Sequence, residues 1–569
     1  MSHPWDFLKE FKGEYFKDEW PTIAELLRIT TARFPDKRGF TLYDPEEIKF
    51  TWSEVSEHVD KISSHLISKG VNPGDKVGLT GKNSPQWALA YLATVNIGAV
   101  IVPLDNSMST EKSLELFKFA GITALFVDEE KFDDFDMKAM GIKTKIALYK
   151  GNDNYIMNIE LEEAFEYGAV RSEELAAILF TSGTTGNPKG VMLTHENLVS
   201  DTFLTQEHMT ILPSDVFYAL LPIHHIYTMT AVFLVALSAG AEILFGQTIA
   251  IQVILPDLKK GKVTMFLGVP LLFNKLIKGI MRGVREKGIL VYGIIRFLMG
   301  ISGMIKKIFK VNPGKKLFNS ILKKVCLENI RICISGGGPL PPETFRKFNQ
   351  LGVDFVQGYG LTESSPILNL NPVAHYKEKS VGKLIPGIEM IIHDPDEKGV
   401  GEIWVRGPVV MRGYYNNQEA TEKVLDEDGF LHTGDMGYLD NEDYLYLSGR
   451  KNNIIVTSGG KNVFPEEIEY FFTLYDEVEQ SLIKGFIADK KLKTEHVEAV
   501  IFPSIEFFEK DHSDLTGHDD ARIHERIGEI VKEINEKMPI YMQIKKYHLI
   551  DQPMEMTSTK KIQRYKVKE

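Results

Sequence analysis

FTSGTTGNPKGV, residues Phe180–Val191, is the most informative segment of the chain. Its glycines let the backbone approach an anion closely, so several N–H groups can converge on one phosphate. The hydroxyl side chains add donors and the lysine adds a positive charge. The segment does not fit GxxxxGK[ST], because the fifth residue after Gly183 is Pro188. The alternative is a glycine-rich surface loop. The pattern favours a polyphosphate-binding loop made of Thr181, Ser182, Gly183, Thr184, Thr185, Gly186 and Lys189.

Short apolar strands alternate with amphipathic helices on both sides of this loop. Runs such as KVGLTG, ITALFVD and IRICISGGGPL are separated by helical patterns, which indicates parallel β/α units with both faces of each sheet covered. Beyond Gly382 the chain is rich in strand and turn residues, which indicates a small barrel or sheet. We predict an α/β fold: residues 1–450 form a large N-terminal domain of parallel β/α subdomains with a small β-barrel-like subdomain, and residues 451–569 form a small α+β domain.

Composition narrows the class of protein. The 569 residues are 43% hydrophobic and 25% charged, with a net charge of -12, which is typical of a soluble globular protein and argues against general nucleic-acid binding. Two cysteines cannot form a disulfide framework. The N-terminus carries early acids and no apolar run, so we expect no secretory signal and a cytoplasmic enzyme.

Further motifs follow in order along the chain. They read LPIHHI, SGGGPL, QGYGLTE, GEIWVRGP, TGD, GRKNNIIV and TSTKKI. With the loop, they resemble the AMP-forming acyl-CoA synthetases of the adenylate-forming enzyme superfamily, over about Trp20 to Lys566. The resemblance implies two half-reactions: a fatty acid and ATP give acyl-AMP and pyrophosphate, and coenzyme A then gives acyl-CoA and AMP. It also implies a mobile C-terminal domain that rotates between the two steps.

The resemblance assigns a nucleotide and metal site. Tyr359 would stack on adenine, Asp435 would accept both ribose hydroxyls beside Arg450, and Glu363 with Thr184 would bind Mg²⁺. The alternatives are a core aromatic, a solvated turn aspartate and a surface arginine. The implied cofactor-binding set is Thr181, Ser182, Gly183, Thr185, Gly186, Lys189, Gly337, Gly338, Gln357, Gly358, Tyr359, Gly360, Thr362, Asp435, Arg450 and Gly459.

The implied catalytic set is Lys561, Glu363, Thr184 and His225. In PMEMTSTKKIQRYKV, the spacing to Ile562 and Arg564 places Lys561 at the family's catalytic lysine, with Lys560 where a glycine is usual. A solvated basic tail is the alternative. Asn452 occupies the hinge position, and Gly459 lies in the segment that resembles the pantetheine-facing one.

The motif GVPLLFNK places Phe273 three residues after its proline, where long-chain members carry an aromatic gate to the fatty-acid tunnel. This implies a long-chain fatty acid as the partner substrate. The alternative functions that stay open are a medium-chain or aryl acid CoA ligase, a CoA-independent fatty acyl-AMP ligase, a luciferase-like oxygenase, and a nucleotide-regulated membrane-binding protein that does not turn over ATP. The oligomeric state is not determined by the sequence, and a dimer is compatible with it.

One segment departs from the acidic composition. Residues 275–325 hold thirteen Lys and Arg against the single acid Glu286, so this segment is +12 while the rest of the chain is -24. The apolar run Ile289–Ile305 is 17 residues long with Arg296 inside it, which is short for a membrane span. We expect a basic amphipathic helix in peripheral contact with an anionic membrane. The alternative is a solvated insertion that packs its apolar stripe on the main domain.

Overall fold

The computed structural model describes residues 3–161, 168, 170–181, 188–248, 250–457, 461–489, 494–511, 514–515, 517–518, 520–557 and 561–567. The predicted α/β architecture with a smaller α+β unit at the C-terminus is confirmed.

The helices and strands alternate over most of the chain. The helices are α1 Ile23–Arg33, α2 Trp52–Ser68, α3 Pro85–Asn96, α4 Thr110–Ala120, α5 Met137–Met140, α6 His195–Leu204, α7 Ile226–Thr228, α8 Val235–Ala239, α9 Ile251–Lys260, α10 Pro270–Arg285, α11 Ile289–Phe309, α12 Gly314–Leu317, α13 Asn319–Lys324, α14 Pro342–Leu351, α15 Gln418–Glu422, α16 Pro465–Phe472, α17 Ile505–Asp511 and α18 Ala521–Glu536. The strands are β1 Arg38–Leu42, β2 Ile48–Thr51, β3 Lys76–Thr80, β4 Val100–Leu104, β5 Ile122–Val127, β6 Thr144–Ala147, β7 Leu175–Thr181, β8 Lys189–Thr194, β9 Val216–Ala219, β10 Glu242–Phe245, β11 Met265–Gly268, β12 Ile332–Ser335, β13 Asp354–Gly360, β14 Ile367–Leu370, β15 Gly382–Leu384, β16 Glu389–His393, β17 Gly401–Arg406, β18 Gly413–Tyr414, β19 Leu431–Leu439, β20 Tyr444–Arg450, β21 Ile455–Val456, β22 Asn462–Val463, β23 Val478–Asp489, β24 Thr494–Pro503 and β25 Ile544–Leu549.

Two sheets sandwich a buried helix. One has the order β18-β8-β7-β4-β3-β5-β6, with β3 to β7 parallel where they pair. Helix α3 contacts β3 and β4 of this sheet and β1 of the other, and every one of its residues is buried. Its sequence is apolar all round, as a helix covered on every side requires.

The second sheet changes direction at β13. Its order is β16-β17-β19-β20-β15-β14-β13-β12-β11-β9-β10-β1-β2. Strand β13 pairs parallel with β12 and antiparallel with β14. The segment Gln357–Gly360 therefore lies where a parallel α/β sheet becomes the antiparallel, turn-rich part that the sequence predicts beyond Gly382.

The C-terminal part has its own hydrophobic core. Strands β23, β24 and β25 form a sheet covered by α16 and α18, and the apolar residues between Ile455 and Ile544 pack among themselves. Helix α18 repeats isoleucine at 523, 527, 530 and 534, all buried, as an amphipathic helix on a sheet requires.

The basic segment forms helices α10 to α13 and differs in part from the prediction. Helix α10 is amphipathic as predicted. Helix α11 is longer than predicted: it spans 21 residues with a mean hydropathy of 1.6, and in the described part of the chain it is the one helix long and apolar enough to cross a membrane. Its lysines are confined to its last turn, and Arg296 is the other basic residue of the helix.

Candidate functional site

The loop quoted at the outset joins two antiparallel strands. Thr181 ends β7 and pairs with Lys189, which begins β8. Ser182, Gly183, Thr184, Thr185 and Gly186 lie outside the described residues. The ammonium of Lys189 lies 4.7 Å from the ring centroid of Tyr414, so a cation stands at one mouth of the loop.

Glu363 is connected to this cation through Tyr414. It belongs to a short 3₁₀ turn, Thr362–Ser364, directly after β13. Its Oε1 accepts a hydrogen bond from the hydroxyl of Tyr414 across 2.8 Å. Because the ring of Tyr414 contacts Lys189 on its face and Glu363 through its hydroxyl, one side chain connects the two predicted phosphate-site residues.

The glycines of QGYGLTE permit close backbone packing. A Cβ at Gly360 would lie 1.6 Å from the carbonyl oxygen of Pro366, and one at Gly358 would lie 3.2 Å from that of Asn369. Gln357 is buried, and its backbone carbonyl accepts a hydrogen bond from the N–H of Asn371. Only glycine fits at position 360, so this motif is required by the fold as well as by any ligand.

Tyr359, Asp435 and Arg450 form one network. The Tyr359 hydroxyl donates to Oδ2 of Asp435 across 2.8 Å, and Nε of Arg450 lies 2.7 Å from Oδ1 of the same carboxylate. Asp435 and Arg450 are direct partners in the pairing of β19 with β20. Burial raises the pKa of the Asp435 carboxyl, and the Arg450 guanidinium opposes that rise. The structure thus brings together three residues that the sequence assigned to one nucleotide site.

The glycines after β12 face a tyrosine. A Cβ at Gly336 would lie 2.9 Å from the ring of Tyr227, and Gly337 has φ +80°. The Tyr227 hydroxyl donates to the carbonyl of Ile334. A Cβ at Gly338 would be 3.8 Å from Pro270, the first residue of α10. Gly337 and Gly338 therefore lie between the histidine motif and the helix that carries Phe273.

His225 lies in a partly buried cluster with two other polar side chains. The rings of His224 and His225 have centroids 4.3 Å apart, and Nε2 of His224 is 3.8 Å from Oδ2 of Asp105. Burial lowers the pKa of His225 to about 3, helped by His224. His225 is therefore a neutral imidazole near pH 7.

Lys561 reaches this region from the C-terminal domain. The N–H of Thr557 donates to the carbonyl of Lys561, whose own N–H donates to the Thr557 hydroxyl, so the two residues close a tight turn. Lys561 is accessible to solvent, yet the surrounding protein lowers its pKa by desolvation, Arg450 lowers it further, and Asp435 and Glu363 oppose the shift. The ammonium thus interacts with residues of both predicted phosphate and ribose sites. Lys560 lies outside the described residues.

Comparison with known proteins identifies the family. The profile of AMP-binding enzymes matches residues 27–415. The chain belongs to this family. The long-chain-fatty-acid–CoA ligase ACSBG2 of Mus musculus is 29% identical over 485 residues, covering 79% of this chain and 72% of that protein. A long-chain-fatty-acid–CoA ligase of Bacillus subtilis is 27% identical over 508 residues, covering 82% of each chain. A chloroplastic long-chain-fatty-acid–[acyl-carrier-protein] ligase of Arabidopsis thaliana, AEE15, is 27% identical over 550 residues, covering 82% of this chain and 75% of that protein.

Solved structures share the adenylate-forming fold of this AMP-binding enzyme. ATP-bound MatB from Rhodopseudomonas palustris superposes with a TM-score of 0.75 at 24% identity, covering 95% of this chain and 97% of that one. O-succinylbenzoate coenzyme A synthetase from Bacillus subtilis, in complex with ATP and magnesium ion, superposes with a TM-score of 0.72 at 22% identity, covering 96% and 99%. The AMP-binding enzyme thus has the fold of these two structures.

The turn that carries Lys561 is anchored by Arg564. In this AMP-binding enzyme the guanidinium of Arg564 lies 2.5 Å from Glu469 of α16 and donates to the carbonyl of Ile483 across 2.9 Å. Met556 and Ile562 form a β-bridge across the base of the turn. These contacts of Arg564 hold the turn that contains Lys561 against α16 and β23.

The segment between the two domains is bound to each of them by one side chain. Lys451 lies 2.7 Å from the carboxylate of Glu402 in β17, and Asn453 donates to Glu466 in α16 across 2.7 Å. Asn452, the predicted hinge residue, lies between these two contacts. Gly459 lies outside the described residues.

Phe273 is completely buried at the start of α10. Its ring meets Phe355 of β13 edge-on at 4.8 Å, and Phe266 and Phe348 lie 5.6 and 5.7 Å away. Phe355 lies four residues before Tyr359 on the same strand. The aromatic side chain at the predicted gate therefore packs directly on the strand of the nucleotide site.

Sequence reasoning missed Asp105 and Tyr414. Asp105 directly follows β4, and a polar residue after a buried parallel strand was the available signal. No local pattern connects Tyr414 with Glu363, because they lie 51 residues apart and meet only after β18 pairs with β8.

Proposed function

We propose that this enzyme activates a long-chain fatty acid with ATP, forming acyl-AMP and pyrophosphate, and then transfers the acyl group to coenzyme A. The observation that carries the proposal is the network in which Asp435 accepts from the Tyr359 hydroxyl and pairs with Arg450. The charges of Asp435, Arg450 and Glu363 also act on Lys561. A lysine, a carboxylate and a carboxylate–arginine pair are what adenylation of an acid needs: a cation for the developing charge, a phosphate and metal site, and a ribose site.

The nucleotide would lie along the edge formed by β13, β19 and β20. Asp435 would accept the ribose hydroxyls, Arg450 would keep this carboxylate charged, and Tyr359 would present its face to adenine while its hydroxyl stays on Asp435. Gln357, Gly358 and Gly360 would line the backbone side, and Thr362 would donate to the α-phosphate. The loop of Thr181 to Lys189 would hold the leaving phosphates.

The residues around Glu363 fit a magnesium ion. A carboxylate is the hard oxygen ligand that Mg²⁺ prefers, and among the described residues only the Tyr414 hydroxyl binds a side-chain oxygen of Glu363. Glu363, with Thr184, would hold the ion, which would neutralise phosphate charge. The protein's own part is to fix the carboxylate through Tyr414.

In the first half-reaction the fatty-acid carboxylate attacks the α-phosphorus and pyrophosphate leaves. Lys561 would donate to the oxygens on which charge develops. The neutral His225 would adjoin the acyl carboxylate without adding a charge. The chemistry depends on position and charge rather than on a covalent enzyme intermediate.

In the second half-reaction the thiol of coenzyme A attacks the acyl carbonyl and AMP leaves. Lys561 would compete with this thiol for the same space, so the C-terminal domain would rotate about Asn452 and present the segment of Gly459 instead. The contacts of Lys451 and Asn453 on either side of Asn452 confine the rotation to that residue, and the ion pair of Lys278 in α10 with Asp476 would break.

Long-chain specificity is supported by the aromatic cluster of Phe273 and by relatives named as long-chain ligases. Phe273 would swing out of its contact with Phe355 to admit the chain. The test is a panel of straight-chain acids from acetate to C20, with benzoate and malonate, assayed for AMP and pyrophosphate with coenzyme A. Because each buried CH₂ contributes about 0.8 kcal/mol, kcat/KM should climb steeply from C6 to at least C12. A preference for acetate, malonate or benzoate would contradict the long-chain proposal and leave the adenylating site intact.

A second candidate is acyl transfer to the phosphopantetheine of a carrier protein, because AEE15 is named as such a ligase. Both acceptors carry the same thiol, so the first half-reaction does not separate them. Palmitate, ATP and either coenzyme A or a phosphopantetheinylated carrier protein should be compared at equal thiol concentration. Thioester on coenzyme A is expected; thioester on the carrier protein alone would favour the second candidate.

A further inference from the structure

Helix α11 exposes a continuous stripe of large apolar side chains. Residues spaced three or four apart lie on one face of a helix, and along this face the exposed fractions are 80% for Leu290, 60% for Ile294, 70% for Phe297, 57% for Met304 and 61% for Ile308. Phe309, the last residue of the helix, and Val311 beyond it are also exposed. Soluble proteins rarely leave so many adjacent large apolar groups in water.

The opposite face of α11 is fixed to the protein. Met299, Ser302 and Lys306 are buried there, and the helix packs along α14 and α10. Nζ of Lys306 lies 2.6 Å from Oδ1 of Asn349 in α14 and 2.5 Å from Oδ1 of Asp354, the first residue of β13. The packing of the opposite face therefore holds the exposed stripe in a defined orientation, turned away from its own domain.

Positive charge surrounds the stripe. Arg296 and Lys307 are exposed on α11, Lys310 follows its last turn, and Lys275, Arg282 and Arg285 are exposed on the neighbouring α10. The whole segment 275–325 has one acid, Glu286. An apolar stripe with cations along its sides matches an anionic bilayer interface, where apolar side chains enter the acyl boundary and cations remain at the headgroups.

We propose that α11 lies in the plane of an anionic bilayer, with the stripe Leu290, Ile294, Phe297, Met304 and Ile308 inserted at the interface. A second copy of the chain is a poorer occupant, because two segments of +12 would face each other. A transmembrane orientation is excluded by Lys306, which binds Asp354 and Asn349 and keeps the helix lying along the domain. Helix α11 contacts α10, which carries Phe273, and the first residue of β13, which carries Phe355. An acyl chain could therefore pass from lipid to protein there.

Flotation of the full chain with vesicles tests the proposal without any turnover. Vesicles of phosphatidylcholine with about 30% phosphatidylglycerol are compared with pure phosphatidylcholine. The triple variant Leu290→Ser/Phe297→Ser/Ile308→Ser should lower partitioning at least tenfold. Its matched control is Ile67→Ser/Ile487→Ser/Ile540→Ser, which removes exposed apolar side chains elsewhere and should float like the parent chain.

The charge arm uses Arg296→Glu/Lys307→Glu/Lys310→Glu, against Lys69→Glu/Lys118→Glu/Lys423→Glu, which changes the net charge equally at exposed positions outside the segment. The triple variant within the segment should partition to anionic vesicles roughly 100-fold less than the parent chain. Added salt should weaken the binding of the parent chain to these vesicles. Four outcomes would each overturn the proposal. Two concern flotation: each variant partitions like its control, or the parent chain stays in the soluble fraction. The other two are a dimer that the stripe variant abolishes, and a parent chain that resists extraction from membranes by high salt and alkali. Adenylation of octanoate reports folding of every variant.

Discussion

Tyr414 donates its hydroxyl hydrogen to Oε1 of Glu363 across 2.8 Å, while the face of its ring lies 4.7 Å from the ammonium of Lys189. Burial raises the pKa of Tyr414, and the neighbouring Glu363 raises it further. The hydroxyl therefore stays protonated and must donate. A single aromatic side chain thus fixes both the carboxylate proposed for magnesium and the cation of the phosphate loop.

Replacing Tyr414 with Phe should loosen Glu363 while keeping the ring against Lys189. A hydrogen bond to a charged group contributes about 1.5–3 kcal/mol, so adenylation should fall roughly 10- to 100-fold at limiting magnesium. Raising the magnesium concentration should restore part of the rate, because Glu363 itself remains. Tyr446→Phe, which removes a hydroxyl bound to the surface residue Asp440, is the control. Equal loss at all magnesium concentrations would contradict a positioning role.

Sequence patterns predicted those parts of the fold that follow local periodicity. The β/α alternation and the α+β C-terminal domain were readable because strand β3 and helix α18 carry the side-chain spacing of their own type. Contacts such as Tyr414 with Glu363 were not readable, since strand pairing across the sheet creates them. Lys306 is a further example. The sequence places it among the basic residues of segment 275–325, which are expected at the surface, but the packing of α11 on α14 buries it.

Lys306 is expected to matter for stability rather than for membrane charge. Its ammonium is buried against Asn349 and Asp354, and burial lowers its pKa against the opposing effect of Asp354. Lys306→Ala leaves Asp354 without its cation and should lower the free energy of unfolding by about 3 kcal/mol, measured in urea. The exposed neighbour Lys307→Ala should stay within about 0.5 kcal/mol. A similar small change for both would contradict the buried ion pair.

Stability should fall in mild acid through His195. The ring is fully buried, its Nδ1 accepts the N–H of Ile23 across 3.2 Å, and burial lowers its pKa to about 4. Between about pH 6.5 and 4 the unfolded chain holds this proton and the folded chain does not, so His195 contributes a loss of up to about 1.4 kcal/mol per pH unit as the pH falls. His195→Asn keeps an acceptor for Ile23 and should flatten the slope by that amount in urea titrations. The surface substitution His393→Asn should leave the slope as it is.

Lys561 should be needed for one half-reaction alone. Its electrostatic partners Glu363, Asp435 and Arg450 belong to the site where the α-phosphate would be attacked, and removing such a transition-state contact costs about 3–4 kcal/mol. Lys561→Ala should therefore slow acyl-AMP formation by roughly 100- to 1,000-fold, measured by pyrophosphate release. Supplied with preformed acyl-AMP and coenzyme A, the same variant should form thioester at close to the normal rate, because the proposed rotation of the C-terminal domain would remove the lysine from the site.

Lys560→Ala is the matched control, because it removes the same charge one position away. It should leave both half-reactions nearly unchanged, since the spacing to Ile562 and Arg564 assigns the catalytic role to Lys561. An inactive Lys560→Ala with an active Lys561→Ala would shift the assignment of the catalytic lysine by one residue. Equal loss of both half-reactions in Lys561→Ala would contradict domain rotation, since a lysine that withdraws before thioester formation has no contact left to lose in that step.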